Sequence, residues 1–402
     1  MRKVSILVLL SLLLVLASGC WDQQEITELA PITGLGIDAG ERPGSIKVSV
    51  EISLPSQTTG SGTGGAGGPK LRVVTVEAPS LLEAINLMFA HTRREPFLRH
   101  LGYIVFGEEM AKAGIAGVIG GLQGVITIRL SVPMFVAVGS AEDALQARSG
   151  VGRAAGQDIV NLLTNIGGAS LGRVVRLNDV INTLGGLDGE LSLPIIELTD
   201  LRLQAGDHLP YAGTDQEGEK LKEVIITRTA IFERDRWVHD LDVYLTQTLV
   251  LLVGSTASGS VTIVNPAEPT GIMALQVEHF SPSFNWTSSG EEVDLTVKIR
   301  VGVRLVEVRG GYDLRTRGLD PIKEQVSKVL GQQVSELFTL FQEHNTDALG
   351  IGGTIHRKDP KAWSRLEPVW DEVFPQIEVA VQVESEIIGT SLQAKPFEMK
   401  ER

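Results

Sequence analysis

The chain has 402 residues, 43% of them hydrophobic, a formal net charge of −13 and a single cysteine. An acid excess of this size excludes a nucleic-acid partner, whose phosphates demand a basic surface. The apolar fraction excludes a disordered chain and suffices for two or three domains, each with its own core.

In chain order, Arg2 and Lys3 precede an apolar run from Val4 to Ala17, closed by Ser18 and Gly19. This is the pattern of a signal peptide over residues 1–19. Its apolar core of about 14 residues is shorter than the roughly 20 needed to span hydrocarbon as a helix. The segment Leu16-Ala17-Ser18-Gly19-Cys20 places small residues before the only cysteine, as a lipoprotein peptidase requires. A lone cysteine forms no internal disulfide, so it is either a free thiol or consumed by modification. The expected mature chain starts at Cys20 with a thioether-linked diacylglycerol and palmitate-class acyl chains, which hold it on a bilayer at about 0.8 kcal/mol per buried methylene. Loss of Arg2 and Lys3 moves the net charge from −13 to −15. A surface this acidic is pushed away from anionic lipid headgroups, so membrane contact is expected to come from the anchor and from partners.

Strands are expected at 32–38 and 45–54, the second with Ile46, Val48, Val50 and Ile52 on one face. The glycine-serine-threonine stretch over 57–70 reads as a flexible loop and lacks the Gly-Lys-Ser/Thr ending of a phosphate cradle. A strand resumes at 71–77, and Ser80-Leu81-Leu82-Glu83 is a capping box opening a helix with Leu82, Ile85 and Phe89 on its apolar stripe. A strand at 99–106, a helix from Glu108, a strand at 132–138 and a helix opened by Ser140–Asp143 follow. The apolar stretch from Ile115 to Val138 is interrupted by glycines, a proline, Gln123 and Arg129, and reads as a buried helix then a buried strand. Glycine-punctuated helices over 150–189 and a proline-containing strand pair to about Leu203 complete the N-terminal half, residues 20–204. Residues 205–221 have linker composition.

The C-terminal half, 222–395, begins with a hairpin, 224–232 and 237–241. A helix over 241–253 follows, with Leu241, Tyr244, Leu245, Leu249 and Leu252 inward. Two long strands, 272–286 and 293–308, flank Ser288-Ser289-Gly290. The segment 321–343 carries Ile322, Val326, Val329, Leu330, Leu337, Leu340 and Phe341 on one helical stripe that covers the sheet. A short helix around 363–373 and a strand at 377–387 close the chain. The fold class is α+β and multi-domain, with mixed sheets in the N-terminal half and an antiparallel sheet packed against a long helix in the C-terminal half.

Residue chemistry points away from an enzyme. No two of the seven histidines share a helix turn or a strand face, so no local metal clamp is present. There is no Gly-x-Ser-x-Gly elbow and no Ser-x-x-Lys pair. Gly34-Leu35-Gly36 with Gly40 misses the third glycine of a dinucleotide turn, and Asp38 reads as a strand-ending residue. No catalytic residue, cofactor or metal is expected.

Several segments together resemble the Ger(x)C family, the C-subunit lipoproteins of spore germination nutrient receptors. They are Cys20-Trp21-Asp22 with Glu25, the 34–38 strand, AINLMFAHTRREPFLRHLGYIVFGEEMAKAGI, TAIFERDRWVHDLDVYLTQTLVLLVG and HRKDPKAWSRLEPVWDEVFPQIEVAVQVESEI. The resemblance implies a non-enzymatic α+β subunit lipidated at Cys20 on the extracytoplasmic face of the spore's inner membrane. Its implied partners are integral membrane A- and B-type receptor subunits. The sequence departs from the family at 349–354, where glycines stand in place of bulkier residues. The alternative from a different class is a solute-binding lipoprotein of a membrane transporter, which calls for two similar lobes of βαβ units around a cleft.

Overall fold

The computed structural model describes residues 29–54, 70–92, 94–125, 127–147, 159, 162, 170–186, 190–200, 222–254 and 258–390. Cys20, most of the 57–70 stretch and the 205–221 linker lie outside them.

The first sheet is built from β1 (Leu29–Ala39), β2 (Ile46–Leu54), β3 (Lys70–Ala78), β5 (Tyr103–Gly107), β6 (Met134–Ala137), β7 (Ser192–Asp200), β8 (Lys222–Glu233) and β9 (Arg236–Leu241), with β4 (Glu95–Phe97) beside the start of β1. Its order is β3-β2-β1-β5-β6-β7-β8-β9. The centre, β1-β5-β6-β7, is parallel, and antiparallel strands flank it on both sides. Helices cover both faces of that centre, so its strands are buried on both sides and read as unbroken apolar runs. Ile104, Phe106, Met134 and Val136 join one core with helices α1 (Leu81–His91), α3 (Ala116–Gly124) and α5 (Leu177–Gly185). Their alternates Tyr103, Val105, Phe135 and Ala137 face α4 (Ala141–Gln146) in a second core. Between these elements α2 (Glu108–Ala113) packs against β9.

Two expectations are corrected here. The α1 stripe is rotated: Leu81, Ala84 and Met88 are buried, while Leu82 is 65% and Phe89 48% exposed. The Ser80 hydroxyl does accept from the Glu83 amide at 3.2 Å. In place of a strand pair before the linker, the described residues hold one strand, β7, which pairs with β6 and β8. The 224–241 hairpin completes this large sheet, so the boundary along the chain and the boundary between the sheets do not coincide.

The second sheet runs β10 (Gly259–Val264), β11 (Ile272–Ser289), β12 (Glu292–Val308) and β13 (Glu378–Thr390). The first three are antiparallel, and β13 returns parallel to β12. A parallel return requires a crossover. It is supplied by α7 (Leu314–Arg317), α8 (Asp320–Glu343), α9 (Ile351–Lys358), α10 (Pro360–Leu366) and α11 (Trp370–Val373). Helix α8, about 36 Å long at 1.5 Å per residue, buries Ile322, Val326, Leu330, Val334, Leu337, Phe338 and Phe341. They meet the inward alternates of β12, Leu295 to Leu305. Ser385 fixes the register of α8 on β13 by donating to the Lys323 carbonyl at 2.8 Å. Helix α6 (Val243–Leu252) buries Leu245 and Leu249 here, but Tyr244, the second residue after the Asp242 cap, is 62% exposed, a correction to the inward stripe. Strand β10 was not expected from the sequence.

Candidate functional site

The glycines of β1 serve close packing. A Cβ on Gly34 would lie 2.5 Å from the Tyr103 hydroxyl, and one on Gly36 would lie 3.1 Å from the Ala141 Cβ. Tyr103 is fully buried and donates to Glu51 Oε2 at 3.2 Å, while the Thr33 hydroxyl donates to Glu51 Oε1. Burial, reinforced by the Glu51 carboxylate, drives the Tyr103 phenol well above its usual range, so it stays protonated as a donor. Asp38 has a role beyond ending a strand. Its carboxylate accepts from the Ala141 amide at 2.7 Å and the Glu142 amide at 3.1 Å, holding the first turn of α4.

Asp38 lies at the end of the sheet where the parallel strands finish, and carboxylates collect there. Three of the cations among them have a partner: Lys47 with Glu142 at 3.0 Å, Arg42 with Glu77 at 3.2 Å, and Lys112 with Glu108 at 2.5 Å. The Ser45 hydroxyl, with the Arg42 amide and guanidinium, holds Glu77 at a pKa of about 2. Lys112 and the Gly139 amide likewise depress Glu108.

A second titratable cluster lies where the two sheets meet. The Glu190 amide donates to the Asp347 carbonyl at 2.9 Å, and the Arg234 amide donates to the Glu190 carboxylate. Asp347 accepts from the amides of Ile351 at 2.8 Å and Gly352 at 2.7 Å, capping α9. Burial raises Asp347 to about 6 despite those amides, and raises Glu190 to about 7, assisted by the nearby Asp347, Glu233 and Asp371. Here too His239 stacks on His344 with ring centroids 4.4 Å apart, a pairing of residues over a hundred positions apart in sequence. Burial, then His344, lowers the His239 pKa. Two of the 349–354 glycines are explained by this seam: Gly350 sits at φ +67°, and a Cβ on Gly352 would lie 2.8 Å from the Trp363 ring.

Cys20, the one functional residue expected from the sequence, lies outside the described residues. Among the described residues, no three His, Cys, Asp or Glu side chains are grouped to hold a metal ion, and no helix is long and apolar enough to cross a membrane.

The chain matches the family described as spore germination protein N-terminal domain over residues 22–198, and the family described as spore germination B3/GerAC like, C-terminal, over 227–391. It is 26% identical to Spore germination protein KC of Bacillus subtilis (strain 168), covering 98% of each chain. It is 24% identical to Spore germination protein YndF of the same strain, covering 95% of each. The crystal structure of the GerBC protein superposes with a TM-score of 0.51 at 15% identity, over 88% of this chain and 97% of that one, and so shares the fold. With both domain matches in order along one chain and the fold shared, the protein belongs to the Ger(x)C family of spore germination proteins.

Proposed function

We propose that this chain is the lipid-anchored, non-enzymatic C subunit of a nutrient germinant receptor, needed for spore germination. It is attached through Cys20 to the extracytoplasmic face of the spore's inner membrane, beside integral membrane A- and B-type subunits. The observation that carries the reading is the colinear match of both germination domains across nearly the whole chain. The Leu16–Cys20 segment after an apolar leader supports the anchor. The two unlike sheets give no support to a pair of matching solute-binding lobes.

The test is genetic. Spores lacking the chain are expected to lose their response to at least one nutrient, with recovery on reintroducing the wild-type gene but not Cys20→Ala at equal protein level. Unchanged germination rates in the null strain for every nutrient tried would contradict the reading.

A further inference from the structure

The end of the large sheet opposite Asp38 is where β1, β5, β6 and β7 begin, and on its β3-to-β6 side the exposed charge is of the other sign. Antiparallel pairing brings the start of β3 here, with Arg72 opposite Ile52. The turn after α1 brings Arg94, and the segment between β4 and β5 brings Arg99. Arg129 precedes β6, and Arg176 bridges to Pro133 at its start. Arg72, Arg99, Arg129 and Arg176 are exposed and Arg94 is half-buried. Arg72, Arg94, Arg99 and Arg129 have no ion-pair partner among the described residues; the carboxylates on this β3-to-β6 side are the buried Glu51 with Glu95 and Asp179, while Glu190, Glu233 and Asp235 stand on the far side of the same end, around β7 and β8. Phe89, 48% exposed near the end of α1, and Leu130, 47% exposed, stand among them.

The chain also enters the fold here. Leu29 pairs with Glu95 in β4, and eight residues separate it from Cys20. Fully extended, that connection spans at most about 32 Å. We infer that this arginine-rich end, with Phe89 and Leu130, is the face that docks on an anionic phospholipid surface. The inference rests on the Cys20 anchor proposed above. Arginine beside a solvent-exposed aromatic or aliphatic side chain suits the headgroup layer, where the charge meets phosphate and the apolar group enters the acyl boundary. The connection itself carries Asp22, Glu25 and Glu28, which makes it the competing occupant of the arginines and an outcome the test must separate. The whole-chain charge predicts repulsion from such a surface; segregation of charge to opposite ends reverses that at one end.

The test uses the full lipidated chain reconstituted in vesicles. Because lipidation consumes the thiol of the only cysteine, a single introduced cysteine carries an environment-sensitive fluorophore at one chosen site. Phe89→Cys reports the arginine-rich end, and Glu109→Cys, exposed on α2, reports the opposite end. The Phe89 label is expected to shift to the blue on phosphatidylglycerol vesicles but not on phosphatidylcholine. Arg99→Glu with Arg129→Glu, or high salt, abolishes the shift while the protein still floats with the vesicles, and the Glu109 label stays unchanged. In the unlipidated Cys20→Ala chain, each arginine lost weakens vesicle binding roughly fivefold. A floating protein whose Phe89 label ignores lipid charge overturns the proposal, with the acidic connection as occupant. A Phe89 label that responds only when membrane receptor subunits are co-reconstituted overturns it in favour of a protein interface. A wild-type chain that fails to float shows instead that the anchor reading is wrong.

Discussion

The two ends of the large sheet are made by the same strands, yet they are finished differently. Where the parallel strands stop, cations are matched to carboxylates and Asp38 is spent on the amides that start α4. Where they begin, arginines face outward among exposed apolar groups and the N-terminal connection arrives. The first end is engaged in holding the fold. The second is left available for something outside it, and the difference teaches that a net charge of −13 says little about what any one face of the molecule attracts.

Mutation can break or sharpen this contrast. The largest effect is expected at the matched end. Asp38→Ala strands two amides at a buried helix start and is expected to cost about 2–3 kcal/mol, read as a lower denaturant midpoint. Next comes a pH effect at the seam between the sheets. Glu190 and Asp347 titrate near 7 and 6 against 4.5 and 3.8 in an unfolded chain. The native state therefore binds more protons across that window, and stability falls as pH rises from about 4 to 7. The loss is expected to be on the order of 2–3 kcal/mol, carried mainly by the buried Asp347, since water reaches the half-buried Glu190 and reduces its share. Thermal scans should show it, and Glu190→Gln should remove only the smaller part of it. Below that window the depressed Glu77 and Glu108 work the other way, giving up stability only as pH falls through their lowered values. Smaller again is Lys47→Ala, which removes a partly exposed ion pair and should cost under about 1 kcal/mol. Arg99→Ala and Arg129→Ala should leave stability within about 0.5 kcal/mol of wild type. A loss of 2 kcal/mol at either arginine would place it in the structural network and erase the contrast.

The sequence made most elements legible wherever periodicity had only one solution. Helix α8 repeats its apolar stripe over six turns, so its buried face was readable apart from Val334 and Phe338. Helix α1 has two competing stripes about 100° apart. Leu82, Ile85 and Phe89 are the larger residues, but the sheet takes Leu81, Ala84 and Met88, because the exit from β3 sets the rotation of the helix. Strand β10 is short, and Val261 and Ile263 are its only buried alternates. Its period-two alternation after α6 is the signal that marks it in the sequence. The family was legible from segments spread along the chain. The charge contrast was not, because Arg72, Arg99 and Arg129 come to one end of the sheet only once strand order and direction are known. The same holds for the stacking of His239 on His344 and for Asp38 at α4, contacts that join residues about a hundred positions apart.

The central claim, a germination protein held on a membrane through Cys20, is tested most directly by fractionating spores that carry the tagged chain as their only copy. The account predicts that the wild-type protein appears during sporulation and stays with the inner membrane after a carbonate wash, while Cys20→Ala is folded and soluble. A wild-type protein in the soluble fraction, or a Cys20→Ala variant that remains in the washed membrane, would contradict it.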